Sequence, residues 1–151
     1  MQRIFGSLLI GLLMLLLAAG TACAQTDADR EAIKQTALDY IEGFYNGDAA
    51  RMERSLHPDL AKRIVRTNPG TGQSVLNHMT AAQLIQAART MESRPTPKDK
   101  QRKDVTILDL YENAASVKIV ANDWIDYLHE AKFDGRWVII NVLWEMKPRR
   151  K

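Results

Sequence analysis

The sequence predicts an α+β fold in which three N-terminal helices pack on a curved, mostly antiparallel sheet. Three observations lead to this prediction. Apolar residues recur at helical spacing over residues 29–46, and a capping motif begins another helix at Thr80. Four runs rich in β-branched and aromatic residues then follow between Val105 and Glu145. Helices followed by strands are typical of an α+β domain with its helices on one face of the sheet.

The first two helices are predicted over residues 29–46 and just after Asp48. Thr26 or Asp27 can cap the start of the first helix, and Gly47 stands where a left-handed C-terminal cap is expected. Asp48 can cap the short second helix, which Pro58 ends. The apolar stripes comprise Ile33, Ala37, Tyr40, Ile41 and Phe44 in the first helix and Met52 and Leu56 in the second.

A hairpin and a third helix are predicted next. Residues 61–67 and 74–79 predict two strands joined by a Pro- and Gly-containing loop. Thr80 and Gln83 form a capping-box pattern that begins the third helix. Residues 93–104 are polar and contain five basic side chains, so we expect an exposed loop; a phosphate-binding strip is the alternative.

The remaining chain predicts an antiparallel meander over residues 105–111, 115–121, 124–133 and 136–145. Asp134-Gly135 predicts a two-residue type I′ turn that pairs Phe133 with Arg136. Because side chains alternate between the faces of a strand, this register defines two largely apolar faces, and a slip of one residue would exchange them. The face predicted to be interior carries Ile125, Tyr127, His129, Ala131, Phe133, Val138, Ile140, Val142 and Trp144. The other face carries Trp124, Asp126, Leu128, Glu130, Lys132, Trp137, Ile139, Asn141 and Leu143.

These faces predict a pocket and an interface. A sheet that curls over one long helix forms a cone, and its open end is a natural site for a small apolar or aromatic ligand. The mixed second face is typical of a subunit interface, so we expect a homodimer. The predicted pocket residues are Tyr40, Phe44, Tyr127, His129, Phe133, Ile140 and Trp144. The predicted interface residues are Trp124, Leu128, Trp137, Ile139 and Leu143.

The first 24 residues predict a secretory signal peptide. Arg3 precedes an apolar run over residues 8–17, and Ala22-Cys23-Ala24 offers a cleavage site after Ala24. The run is shorter than the roughly 20 residues of a membrane span. The alternative is a lipoprotein anchored through Cys23, although Gly20 stands where an aliphatic residue is expected. We therefore expect an exported protein, periplasmic or secreted, with one domain over residues 25–151 that ends in a basic tail at 146–151.

Composition excludes several functions. Cleavage removes the only cysteine, and with it any disulfide, thiol nucleophile or cysteine metal site. The chain carries 21 Lys and Arg against 18 Asp and Glu, and the signal peptide removes one of these cations. The nearly balanced charge gives no general argument for nucleic-acid binding, and the basic tail is short enough to be a solvated end.

Motifs spread along nearly the whole mature chain resemble one family. They are Tyr40-Ile41-Glu42-Gly43, Asn46-Gly47-Asp48, Leu56-His57-Pro58-Asp59-Leu60, Lys62-Arg63, Asn77-His78-Met79-Thr80, Asp126-Tyr127-Leu128-His129, Asp134-Gly135-Arg136-Trp137 and Asn141-Val142-Leu143-Trp144-Glu145. Together they resemble the putative lumazine-binding family of the nuclear transport factor 2-like superfamily. This resemblance implies the cone-shaped fold shared with SnoaL-like and ketosteroid isomerase-like proteins. A shared fold does not by itself imply a shared function.

Ketosteroid isomerase provides a test of the chemistry. The resemblance implies that Tyr40 corresponds to the tyrosine that donates to the substrate oxyanion, and that Trp144 corresponds to a pocket aromatic. It also implies that Ile64 or Val65 stands where the isomerase has its aspartate base, and His129 where it has a second aspartate. Because a hydrocarbon side chain cannot accept a proton, this departure argues against isomerase chemistry.

His129 is the leading candidate for acid–base chemistry, because histidine titrates near neutral pH. The alternative is a histidine held by one hydrogen bond or placed in water at the mouth of the cone. Tyr40 and Tyr127 either point hydroxyls into the pocket or are core aromatics. His57 and His78 lie near helix ends, and the three histidines show no metal-ligand spacing. The sequence therefore predicts no metal and no cofactor.

Three functions remain open. The leading hypothesis is a non-enzymatic protein that binds a small apolar or aromatic molecule in the cone. The second is an isomerase, cyclase or hydratase that acts through His129 and Tyr40. The third is a dimeric interaction module whose cone is filled and inert.

Overall fold

A computed structural model describes residues 27–148. The predicted signal peptide and the last residues of the basic tail lie outside this range. The helices are α1 over residues 27–46, α2 Ala49–Ser55 and α3 Ala81–Thr90, and a 3₁₀ turn covers Lys98–Lys100. The strands are β1 Leu56–Thr67, β2 Ser74–Thr80, β3 Asp104–Tyr111, β4 Ala114–Val120, β5 Trp124–Phe133 and β6 Arg136–Met146. The predicted α+β class is confirmed.

The chain divides into two compact units. One unit ends at Glu31, and its described part is the beginning of α1. The other begins at Ala32 and contains the sheet, α2, α3 and the rest of α1. In this second unit the six strands are ordered β2-β1-β6-β5-β4-β3. Neighbours are antiparallel except β1 and β6, which are parallel.

The predicted helix caps at Gly47, Asp48 and Thr80 are confirmed. Gly47 has a φ of +71°, in the left-handed region that glycine adopts without steric cost. The Asp48 side chain accepts a hydrogen bond from the backbone N–H of Arg51 at 2.9 Å. Thr80 and Gln83 form a complete capping box at the start of α3. Local side-chain chemistry therefore sets where α1 ends and where α2 and α3 begin.

The boundary between α2 and β1 differs from the prediction. α2 ends at Ser55, so Leu56 begins β1 instead of completing the helix. Pro58 lies inside β1, where the pairing with β6 is interrupted between Leu56 and Ala61. Because proline has no backbone N–H, it is tolerated in a strand where the hydrogen-bond ladder is broken. The predicted strand at residues 61–67 is thus the second half of a longer one.

The tip of the β5–β6 hairpin follows the prediction, and its base does not. Asp134 and Gly135 both have positive φ, and Phe133 pairs with Arg136 as expected. A β-bulge then intervenes, since Glu130 pairs with Ile139 while His129 pairs with Asn141. Ile140 is the extra residue of β6, and beyond it the register is shifted by one. A one-residue shift moves each side chain of β5 to the other face relative to β6.

The predicted faces of β5 were therefore wrong. Asp126, Leu128 and Glu130 are at most 1% exposed and point into the core. Tyr127, His129 and Phe133, which were predicted to be interior, are exposed on the opposite side of the sheet.

The predicted dimer interface is contradicted by the same finding. Leu128, Trp137 and Ile139 belong to the core of the chain itself, and Trp124 packs partly buried against that core. Of the five predicted interface residues, Leu143 alone is largely exposed, at 52%.

The beginning of the predicted basic tail is ordered against the sheet. β6 continues through Met146, and the backbone N–H of Lys147 donates to the carbonyl of Asp123 at 2.8 Å. The side chain of Lys147 donates to the carbonyls of Ala121 and Asn122. These contacts join the end of β6 to the turn that precedes β5.

Candidate ligand-binding site

A cavity of about 330 Å³ lies between the helices and the inner face of the sheet. Its walls are apolar or aromatic except at Lys62 and Asp123. Asp123 and Met146 are exposed, so they mark the opening, where β5 begins and β6 ends. A volume of this size is at the lower end of the range for small-molecule sites. The lining residues are Tyr40, Ile41, Phe44, Met52, Lys62, Met79, Leu84, Ala87, Asp123, Trp124, Trp144 and Met146.

Aromatic rings form much of the wall. Phe44 of α1 meets Trp124 of β5 edge to face, with ring centroids 5.6 Å apart. Tyr45 packs behind them, 6.0 Å from Trp124, and its hydroxyl donates to the carbonyl of Arg102 at 2.9 Å. Edge-to-face geometry is favourable for such rings and fixes their orientation. The wall is therefore held in place before any ligand enters.

A group of buried polar side chains interrupts the apolar wall. Lys62 of β1 is 6% exposed, and its Nζ donates to Asp126 Oδ1 at 2.7 Å and to the Tyr40 hydroxyl at 2.6 Å. The Tyr40 hydroxyl in turn donates to Asp126 Oδ2 at 3.3 Å. Trp124 Nε1 donates to the same oxygen at 2.6 Å. The fully buried Asp126 is thus the centre of a connected network.

The environment of this network changes its acid–base properties. Burial raises the pKa of the Tyr40 hydroxyl well above its usual value, and the neighbouring Asp126 carboxylate raises it further. Burial lowers the pKa of the Lys62 ammonium, an effect that the attraction of Asp126 opposes but does not cancel. Tyr40 therefore remains a neutral hydroxyl, while the proton of Lys62 is held less tightly than that of an exposed lysine.

Lys62 also contacts aromatic rings. Its Nζ lies 4.7 Å from the centroid of Trp144 and 5.3 Å from that of Tyr40. Ring faces attract cations most strongly where water is excluded. The Trp144 ring therefore stabilises the ammonium group, whereas Tyr40 meets it through its hydroxyl oxygen and Asp126 through its carboxylate.

A second carboxyl group is buried on the same strand without such partners. Glu130 is 1% exposed, and no hydrogen-bond partner for either of its carboxyl oxygens is found among residues 27–148. Burial raises its pKa to about 9. At neutral pH its side chain is therefore protonated and uncharged. Glu130 does not line the cavity.

The structure brings together some of the predicted pocket residues and separates the others. Tyr40, Phe44 and Trp144 line the cavity. Ile140, the bulged residue, does not line it and is partly buried. Tyr127 and Phe133 lie on the outer face.

The histidines lie away from the cavity. His129 is exposed on the outer face, where its Nδ1 lies 3.2 Å from the side-chain nitrogen of Asn141. His57 stacks on Phe133, with ring centroids 4.6 Å apart. His78 lies exposed on β2. Across the described part of the chain, no cluster of three or more His, Cys, Asp or Glu side chains is arranged to hold a metal ion.

Sequence reasoning missed Lys62 and Asp126 as site residues. The signal for Lys62 was present, because Leu60, Lys62 and Ile64 alternate on one face of β1, which placed a lysine in an apolar row. Asp126 alternates with Trp124 and Leu128 in the same way, but the predicted register assigned that face to a partner subunit. Only the position of the bulge, which the sequence does not reveal, corrects this assignment.

Comparison with known families identifies the chain. A model of the Putative lumazine-binding family matches residues 28–145, which is most of the chain. The protein therefore belongs to this family. No protein of established annotation matches it.

Solved structures share the fold at low sequence identity. A nuclear transport factor 2-like protein of unknown function from Shewanella baltica is 19% identical with a TM-score of 0.61, covering 81% of this chain and 96% of that one. Another from Silicibacter pomeroyi is 14% identical with a TM-score of 0.63, covering 81% and 98%. A ketosteroid isomerase-like protein from Erwinia carotovora atroseptica is 10% identical with a TM-score of 0.55, covering 79% and 96%. These similarities establish the nuclear transport factor 2-like fold.

None of the helices within residues 27–148 combines the length and the apolar character that crossing a membrane requires.

Proposed function

We propose that the protein binds a small, neutral, largely apolar or aromatic molecule in the cavity. The observation that carries this proposal is the combination of an open apolar cavity with one buried polar group, Lys62–Tyr40–Asp126, in its wall. Binding sites of this kind use apolar walls for affinity and a few placed polar groups for orientation. The family to which the chain belongs bears the name of a small-molecule ligand, which is consistent with the proposal.

The charges at the site indicate a neutral ligand with a hydrogen-bond acceptor. Lys62 and Asp126 form an ion pair at 2.7 Å, so their charges compensate each other inside the wall. A charged ligand would need a further counter-ion there, because burying an uncompensated charge is costly. Lys62 has a donor beyond those used by Asp126 and Tyr40, since an ammonium group has three N–H bonds. A carbonyl oxygen of the ligand is a suitable acceptor.

Thermal unfolding with a panel of small aromatic and aliphatic compounds tests this function. A compound at about 100 times its dissociation constant stabilises the folded state by about 2.7 kcal/mol, so the melting temperature rises. Ala87→Phe, which fills the cavity, should abolish the rise. Ala82→Phe on the exposed side of the same helix is the matched control and should preserve it. The proposal fails if no compound shifts the wild-type protein, or if Ala87→Phe responds as the wild type does.

The second candidate is acid–base catalysis on the bound molecule. The hydrogen bonds among Lys62, Tyr40 and Asp126 favour it, because a lysine with a lowered pKa beside a neutral hydroxyl can transfer protons. His129 does not contribute, since it lies on the outer face. Liquid chromatography coupled to mass spectrometry of each ligand after incubation, which also separates isomers of equal mass, distinguishes the two functions. A binder returns the ligand unchanged, whereas an enzyme yields a product that Tyr40→Phe no longer forms.

The open cavity argues against an inert cone. That alternative requires Phe44, Phe133 and Trp144 to fill the interior, whereas Phe44 and Trp144 line an open space and Phe133 lies outside.

Dimerisation remains a prediction, now with a different surface. The outer face of the sheet exposes Val65, Tyr127 and Leu143, and Leu143 pairs with Arg63 on one side and Tyr127 on the other. We expect a second copy of the chain to cover this apolar strip. Sedimentation equilibrium should then give a dimer that Leu143→Lys converts to a monomer. A wild-type monomer at micromolar concentration would contradict the prediction.

We also propose export of the chain with removal of residues 1–24. The N-terminal pattern of the sequence supports this proposal. Mass spectrometry of the protein from its native source should find Gln25 as the first residue. An N-terminal lipid on Cys23 would support the lipoprotein alternative.

A further inference from the structure

We propose that Lys62 captures a small aromatic aldehyde or ketone in the cavity as a reversible imine. The inference names the ligand class of the proposed binding function and rests on it, because the carbonyl compound must enter the cavity before it can react.

Lys62 faces the cavity, whereas its ion-pair partner does not. Among the residues that the structure describes, Lys62 is the only lysine, arginine or histidine that lines the cavity. Asp126, its ion-pair partner, is fully buried and does not line the cavity. The carboxylate therefore lies behind the amine as seen by an entering molecule. An ion pair with only a structural role would not need its amine to face the cavity and its carboxylate to lie behind the amine.

The surroundings of Lys62 make its amine more reactive than that of an exposed lysine. An imine forms only from a neutral amine, and exposed lysines are almost entirely protonated at neutral pH. Burial in the apolar wall lowers the pKa of Lys62, and Asp126 at 2.7 Å can accept the proton that the ammonium releases. Lysines activated by desolvation in apolar pockets are the usual nucleophiles toward carbonyl groups.

A hydroxyl group lies beside the amine. Tyr40 lines the cavity, and its hydroxyl oxygen lies 2.6 Å from Lys62 Nζ. Burial keeps this hydroxyl protonated. Its one hydrogen is donated to Asp126 Oδ2 over a long 3.3 Å contact, and it donates to the oxygen of an approaching carbonyl group by turning away from that contact.

The reaction balances without an oxidant or a reductant. Asp126 takes a proton from the Lys62 ammonium, and the freed electron pair of Nζ forms a bond to the carbonyl carbon. After this attack the nitrogen still carries two hydrogens, and one of them passes as a proton to the carbonyl oxygen, which becomes a hydroxyl group. Asp126 then returns its proton to that hydroxyl group, which leaves as water. The product is a protonated imine that carries the single positive charge of the original ammonium. Asp126 therefore remains its counter-ion, and the site stays neutral overall.

The walls of the cavity determine which substituent on the carbonyl group is favoured. Phe44, Trp124 and Trp144 surround the space with aromatic rings, which favours a flat, unsaturated substituent. Except at Asp123 in the opening, a substituent with its own charge would lack a partner in this wall. An uncharged aromatic aldehyde of modest size meets both requirements, and benzaldehyde is the simplest probe.

Reductive trapping tests the proposal. The full-length protein is incubated with benzaldehyde at neutral pH, reduced with borohydride, and analysed by intact mass and peptide mapping. We expect one predominant adduct, with label on the Lys62 peptide about tenfold above that on the Lys98 peptide, because only a desolvated amine reacts readily. Lys62→Arg keeps the positive charge and should lose the adduct. Lys98→Arg, a change in the exposed 3₁₀ turn, should retain it.

Calorimetry with benzyl alcohol, which has no carbonyl group, separates this proposal from the proposed function. If benzyl alcohol binds and no adduct forms at Lys62, binding stands and imine formation is refuted. Label spread evenly over exposed lysines would also refute it. If neither compound binds and no adduct forms, the imine proposal is refuted for this ligand class, and the panel of other compounds decides the binding function separately.

Discussion

Asp126 and Glu130 lie four residues apart on the same face of β5, and both are buried, yet their surroundings differ. Asp126 accepts hydrogen bonds from Lys62, Tyr40 and Trp124 beside the cavity. Glu130 has no hydrogen-bond partner among the described residues, and its pKa of about 9 keeps it neutral. Burial alone therefore does not distinguish a site residue from a core residue; the partners do. The partnered carboxyl lies next to the cavity, and the unpartnered one lies away from it.

Removal of the cation that pairs with Asp126 should have the largest effect on stability. Lys62→Met leaves a carboxylate buried without its counter-ion, which we expect to lower the free energy of unfolding by about 3–5 kcal/mol. Lys62→Met combined with Asp126→Asn should recover much of this loss, because the uncompensated charge is removed. Urea unfolding at pH 7 measures both.

Lys118→Met on the outer face is the matched control and should change stability by less than about 1 kcal/mol, since its ammonium lies over the ring of the exposed Tyr127. A loss in Lys62→Met no larger than that of this control would show that the buried pair is not required for stability.

Glu130→Gln should have the opposite effect and should depend on pH. The folded-state pKa of about 9 exceeds the usual value of 4.5, so the contribution of Glu130 to stability is present below pH 4.5 and is lost as pH rises toward 9. The loss approaches about 1.4 kcal/mol per pH unit, or about 3 kcal/mol by pH 7. The uncharged glutamine lacks this loss, so the variant should match the wild type at pH 4 and exceed it increasingly above pH 5. Parallel curves of unfolding free energy against pH for the two proteins would contradict the assignment.

Tyr40→Phe should change stability less than Lys62→Met or Glu130→Gln does. The change removes a hydroxyl that accepts from Lys62 and donates to Asp126, while the ring remains. We expect a loss of about 1–2 kcal/mol, since the ion pair itself is intact. Tyr127→Phe makes the same substitution on the exposed face and should change little in thermal unfolding. Equal losses of stability in the two variants would show that the hydrogen bonds of the Tyr40 hydroxyl do not stabilise the protein.

The smallest effect is expected at His129, the leading candidate from sequence. Its side chain is exposed, and its Nδ1 lies 3.2 Å from the side-chain nitrogen of Asn141 on the neighbouring strand. His129→Ala should change stability by less than about 0.5 kcal/mol and leave ligand affinity unchanged. A large loss of ligand affinity in His129→Ala, measured by calorimetry, would contradict this expectation. It would indicate that His129 contacts the ligand and that the ligand binds on the outer face.

The sequence predicts the parts of the fold that depend on local chemistry. Gly47, Asp48 and Thr80 mark helix ends because their side chains, or the lack of one, act on adjacent backbone. Asp134-Gly135 defines its turn for the same reason. Tyr40 and Phe44 follow from the apolar stripe of α1, so one wall of the cavity could be predicted.

The other wall could not be predicted, because it depends on a contact between distant strands. The bulge at Ile140 lies where β1 pairs in parallel with β6, with Leu56 opposite Ile139 and Ala61 opposite Asn141. No feature of the hairpin sequence indicates this pairing. A single extra residue exchanges the faces of a strand, so the error moved Asp126 out of the predicted site and His129 into it.

The central claim is that the polar group around Asp126 belongs to a ligand site and that Glu130 does not. The most direct test is the dissociation constant of the best ligand from the panel, measured by calorimetry for the wild type, Lys62→Arg and Glu130→Gln. Lys62→Arg keeps the charge but changes the donor that faces the cavity, so we expect affinity to fall about tenfold or more, or by at least about 1.4 kcal/mol. Glu130→Gln should bind as the wild type does. Unchanged affinity in Lys62→Arg, or an equal loss in both variants, would contradict the claim.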